Sequence, residues 1–144
     1  MNPLEIFTDK DNLKTVDNYR ISYLTIFISS LLITEIGRNI YRPFIYNNNI
    51  NDFGIADSIG NLGGIIAQVF LGFLIFNPPK NKGFRLILFY IIGYIMYEII
   101  QPILPRGVFD WKDIYGTIIG GVIGLVLFHL IHLVIKKHKP IFKF

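Results

Sequence analysis

The chain has 144 residues, of which 52% are hydrophobic and 17% charged, with a net charge of +4. Soluble domains run near 25% charged, and a water-soluble fold of this length has no means of hiding so much apolar surface, whereas a bilayer does. Disorder is excluded by the same composition, and the lack of cysteine removes disulfides, thiolate metal sites and a Cys nucleophile.

In chain order, residues 1–20 are polar and lack the apolar stretch and small-residue cleavage site of a signal peptide. Leu4, Phe7, Leu13 and Val16 there read either as a short interfacial helix or as scattered apolar anchors. Four apolar stretches follow, at 21–39, 55–76, 84–104 and 114–135. Each holds about 20 residues, enough at about 1.5 Å per residue to cross a hydrocarbon core of about 30 Å. None alternates with period two, and unpaired backbone groups are not tolerated in lipid, so all four are expected to be helices. Pro43 and Asn47-Asn48-Asn49 mark the first loop. Asn77-Pro78-Pro79 ends the second span and leaves a tight hairpin reaching Gly83. Pro102, Pro105 and Gly107 mark the third loop. The expected fold is an all-α polytopic membrane protein of four transmembrane helices. Its parts are a cytoplasmic N-terminal segment (1–20), a four-helix transmembrane domain (21–136) and a cytoplasmic basic tail (137–144).

Lys and Arg sort unevenly: ten lie on the side of the two termini and the 77–85 turn, four on the other. The positive-inside rule therefore places both termini in the cytoplasm. The acids sort the opposite way, giving +6 inside and −2 outside. The basic excess thus reports topology and not a nucleic-acid partner, and Lys136-Lys137-His138-Lys139 reads as a stop signal against anionic lipid.

The second and fourth spans open alike, with Phe53-x3-Asp57-x2-Gly60-x3-Gly64 matching Phe109-x3-Asp113-x2-Gly116-x3-Gly120. Glu35-x2-Arg38 and Glu98-x2-Gln101 close the spans before them. This pattern describes two helical hairpins of the same orientation, a parallel repeat. Equally, each helix start simply needs an N-cap acid and close-packing glycines. The glycine stripes Gly116, Gly120, Gly124 and Gly60, Gly64, Gly72 are expected to serve packing within the bundle, where the two faces can pair with each other.

Six acids, Gln101, Arg38 and Arg106 gather toward the outer side. Ionisable groups inside apolar spans are costly and face the bundle interior, where they pair or bind something. Glu98 and Gln101 share a helix face, as do Asp113 and Thr117. Arg106 in the short loop between these helices is within reach of Glu98 and Asp113, and its planar fork can bridge two carboxylates. The cluster either forms a ligand pocket or fastens the hairpins, with Asp57 and Asp113 capping helix starts.

At this cluster the residues Glu98-x2-Gln101, Pro105-Arg106-x2-Phe109-Asp110-x2-Asp113 and Gly120-x3-Gly124 resemble the signature of VanZ-like membrane proteins. That family is named for a protein giving low-level resistance to the glycopeptide teicoplanin. The family usually has Asn four residues after its second Asp, where this chain has Thr117. The first hairpin carries Asn61 at the matching place, and Asn61 is expected to supply that amide from across the bundle. The resemblance implies a role at the outer face of the bacterial inner membrane with a cell-envelope ligand and a link to glycopeptide resistance; no cofactor is expected. The residues assigned to that ligand are Glu98, Gln101, Arg106, Asp110, Asp113, Glu35, Asp57 and Asn61.

Two other readings differ in class. The chain is a small accessory subunit of a larger membrane complex, or it is an outer-leaflet enzyme acting on lipid or glycan through its carboxylates. An enzyme is the less favoured, since no nucleophile elbow or phosphate loop is present and no catalytic residue is assigned. His129 and His132 are too few for a metal and read as interfacial. Gln68, in the middle of the second span, is expected to hydrogen-bond across helices.

Overall fold

The computed structural model describes residues 6–13, 15–105, 107–135 and 140–143. Four helices are long and apolar enough to cross a membrane: Asn18–Asn47, Ile55–Phe76, Lys80–Ile103 and Trp111–Val134. The chain is a four-helix membrane protein, folded as two consecutive helical hairpins.

The N-terminal segment supplies a single turn, α1 (Lys10–Leu13), and a short strand, β1 (Thr15–Asp17), in place of an interfacial helix. Val16 lies in that strand, and Leu4 is outside the described residues. Asp17 then caps the first long helix, α2 (Asn18–Ile36), accepting the Arg20 backbone N–H at 3.0 Å. The helix does not end near Asn39 or break at Pro43. It passes through a π-helical turn, Gly37–Tyr41, into α3 (Arg42–Asn47). In that turn the Arg42 N–H reaches back to the Gly37 carbonyl, which resets the ladder by one residue. Pro43 therefore falls at the first turn of α3, where its missing N–H costs little.

Helix α4 (Ile55–Phe76) fills the expected span. Its entry is a left-handed Gly54 (φ +86°). Its exit is a left-handed Asn77, and Pro78 and Pro79 stop it there. The turn is shorter than expected, because Pro79 caps α5 (Lys80–Ile100) four residues ahead of the apolar stretch. A 3-10 turn (Gln101–Ile103) closes that hairpin arm, and α6 (Trp111–Val134) starts behind Asp110.

Helix α4 is central, with α2 and α6 packed along it and α5 against α6. The α4–α6 approach is made by glycines of α6: Gly116 sits on Ser58 and Leu62, Gly120 on Leu62 and Ile65, and Gly124 on Val69. The stripe of α4 is not its mate. Gly64 lies under the Tyr94 hydroxyl of α5, and a Cβ at Gly60 would meet nothing within 4 Å. The repeat-related glycines therefore sit in different surroundings: those of α6 face α4, whereas Gly64 of α4 faces α5.

The end of the bundle near the termini holds the aromatic core. Phe73 packs on Phe128 with ring centroids 4.5 Å apart and on Tyr23 at 5.3 Å. The Phe128 ring lies against Gly83, where any side chain would displace it. The Tyr19 hydroxyl donates to the Ile135 carbonyl at 2.6 Å, joining α2 to the end of α6. Below it β1 pairs antiparallel with β2 (Pro140–Lys143), a two-stranded ribbon that the all-helical expectation lacked. The basic residues 136–139 lie outside the described residues.

Candidate functional site

The opposite end of the bundle is polar, and the structure divides the expected cluster in two. The inner part lies where α4, α5 and α6 meet. Glu98, near the end of α5, is 2% exposed. Asn61 reaches across from α4 and donates to its Oε1 at 3.2 Å. The Gln101 amide, oriented to satisfy its neighbours, donates to Glu98 Oε2 at 3.0 Å and to the Val108 carbonyl. Asp113 lies beside the Asn61 amide and within electrostatic range of Glu98. One turn further along the same face of α6 is Thr117, fully buried, whose hydroxyl has no hydrogen-bond partner among the described residues. Burial forces such groups to find partners, and here one carboxylate takes an amide from each side while one hydroxyl is left over.

The second part is a rim set on α3, α4 and α6. Asp57 accepts from the Tyr46 hydroxyl and pairs with Lys112 Nζ at 2.5 Å. Arg42 Nη2 stands 3.9 Å from the same carboxylate, and Arg42 Nε donates to the Tyr46 hydroxyl at 3.1 Å. On sequence, Arg42 and Tyr46 fall in the first loop, and nothing there joins them to Asp57 or Lys112. Only the continuation of α2 past Pro43 carries them there.

One assigned residue, Glu35, stands apart from both parts, whereas Asp110 lies within electrostatic range of Glu98, Asp113 and Lys112. Glu35 is exposed and faces away, pairing with Arg38 at 3.5 Å and accepting from Asn39 at 3.1 Å on its own helix. Asp110 is the cap of α6, accepting the Lys112 backbone N–H at 2.9 Å. Arg106 lies outside the described residues. The capping roles considered for Asp57 and Asp113 belong to Asp52 and Asp110. Asp52 accepts the Ala56 N–H at 2.6 Å and the Gly54 N–H at 3.1 Å. Asp57 and Asp113 are thereby left for side-chain contacts between helices.

Among the described residues no group of three or more His, Asp or Glu is placed to hold a metal. His132 packs at a tilt against Tyr19 and Phe128, beside the aromatic core. Gln68 is exposed on α4 and is not turned toward another helix as expected.

These features define a small polytopic membrane protein with a buried polar cluster and a half-exposed charged rim at one end of its bundle. The profile of the VanZ/LLP1 family matches residues 8–132, and the chain belongs to that family. No curated protein matches the chain, and no solved structure does.

Proposed function

We propose that this VanZ/LLP1 family member lies in the bacterial inner membrane with both termini in the cytoplasm and binds a cell-envelope ligand at its outer polar end. The binding groups are Glu98, Gln101, Asn61 and Asp113, with Asp57 on the rim and Arg106 in the adjoining loop. The observation that carries this reading is the buried Thr117 hydroxyl, which has no partner among the described residues and lies one turn from Asp113. A cluster serving only to fasten helices gains from satisfying each buried group, whereas a ligand site keeps donors and acceptors in reserve. The charge asymmetry along the chain supports the orientation. Family membership supports a link to glycopeptide resistance.

That link has a direct test. Expression in a susceptible Gram-positive host is expected to raise the teicoplanin concentration needed to stop growth, and Glu98→Gln at equal membrane abundance is expected to abolish the rise. Equal protection by the variant contradicts the assignment of Glu98.

A second reading is favoured by one observation. Gln68 is an exposed amide in the middle of a membrane helix, which a partner helix in a larger complex would satisfy.

A further inference from the structure

Between α2 and α6, on the surface of α4, runs an apolar groove of ≈ 320 Å³. Its walls are Ile33 of α2 and Ile123 and Leu127 of α6, and its floor is Leu62, Gly63 and Ile66 of α4. The groove exists because α2 and α6 both pack on α4 but come together at the aromatic end, through Tyr19 and Ile135 and through Tyr23 and Phe128. Toward the polar end they part. At Gly63 the space of a side chain is taken by Thr34 of α2, which lies directly over it and closes α2 onto α4. Two polar residues in the lining do not make it polar. The Ser30 hydroxyl donates to the Phe27 carbonyl at 2.9 Å and the Thr34 hydroxyl to the Ser30 carbonyl at 2.6 Å, so both are spent on their own helix.

A helix, about 10–12 Å across with its side chains, does not fit this space, whereas a single hydrocarbon chain does. The groove lies within the spans, where the surrounding solvent is hydrocarbon. The rim at its polar end is made by the same three rods that form its walls: Arg42 and Tyr46 continue α2, Asp57 continues α4, and Lys112 continues α6. Thr34 and Arg42 are eight residues apart on one rod, a rise of about 12 Å, which sets the rim at headgroup depth. Asp57 is shared between two cations that are each about half exposed, with Asp113 also acting on Arg42 and Asp110 on Lys112 from further off. Arg42 commits its Nε to Tyr46, and its remaining fork matches the geometry of a phosphate.

We infer that this groove is a binding site for an anionic phospholipid, with one acyl chain between α2 and α6 and its phosphate on Arg42 and Lys112. The groove stands on the α2 side of the α4–α6 contact and shares only the Asp57 rim with the site proposed above.

The test uses the full chain in bilayer nanodiscs of phosphatidylcholine. Its single Trp, Trp111, is replaced by Phe, and a reporter is placed at the groove edge as Ile33→Trp or at the exposed outer face of α5 as Ile99→Trp. Brominated phosphatidylglycerol or brominated phosphatidylcholine is added as a minor component. The groove reporter is expected to be quenched with about fivefold preference for the anionic lipid, as for contact with about one surface cation. The α5 reporter is expected to show none. Arg42→Gln with Lys112→Gln removes the preference while leaving chain contact. Equal quenching by both lipids, or no difference between the two reporters, overturns the inference. Groove quenching that falls as protein density rises identifies a second copy as the occupant and also overturns it. If Ile33→Trp does not fold, Ser29→Trp reports on the same groove from another exposed position.

Discussion

Gly120→Leu is expected to abolish the folded bundle, and Gly60→Leu to leave it nearly unchanged. A Cβ at Gly120 runs into the Leu62 carbonyl and the Ile65 side chain, so the new side chain strikes backbone that cannot rotate away. Overpacking a well-filled core costs about 1–3 kcal/mol, and more where main chain has to move. Here the helix that moves is α4, on which α2 and α6 both rest, so the cost spreads through the bundle. At Gly60, by contrast, a Cβ meets nothing within 4 Å, and leucine is the better helix former by about 1 kcal/mol. Fluorescence-detected size-exclusion in mild detergent, with denaturation in mixed micelles, compares the two. The same substitution at repeat-related positions should thus differ by about 3 kcal/mol or more. Equal tolerance contradicts the packing described for α4 and α6.

Asp17→Ala is expected to cost about 2–4 kcal/mol, the sum of a lost helix cap and a lost buried hydrogen bond. The Asp17 carboxylate is fully buried and caps α2 through the Arg20 N–H. Its other oxygen accepts from the Asn77 side chain at 3.0 Å, and Asn77 is the left-handed residue that ends α4. The Asn77 carbonyl in turn accepts from the Asn12 side chain at 3.3 Å. One carboxylate therefore fixes both the start of the first hairpin and the turn into the second. Alanine leaves the Asn77 amide buried without this acceptor. Asp17→Asn, which can still cap, should recover part of the loss, and thermal melting in detergent separates the three chains. A melting point for Asp17→Ala equal to that of the parent contradicts the role.

Spans and hairpins were legible because twenty apolar residues in lipid leave the backbone one solution. The second span was read to the residue at both ends, where Gly54 and Asn77 punctuate it. The first was misread at Pro43, because a π-helical turn depends on ladder geometry that the residue pattern does not display. The ribbon of β1 and β2 was hidden for a different reason: its strands are three and four residues long and lie at opposite ends of the chain. At the polar end, Glu98 and Gln101 were found by helix spacing, and Asn61 by the repeat. Glu35 was proposed as an ionisable group inside an apolar span, but such a span does not say which neighbour covers each face, and that face of α2 is exposed. Tyr46 and Lys112 were missed because their link to Asp57 joins three separate rods.

The central claim is that the Glu98 cluster is a ligand site and not a clasp. The most direct measurement is native mass spectrometry of the chain purified from its own membranes, set against Glu98→Gln and Asn61→Ala at matched folded yield. The account predicts one bound species of defined mass on the parent chain and its loss from both variants, with helical content and monodispersity kept. Variants that fold and retain the same species, or that lose the fold along with it, contradict the account.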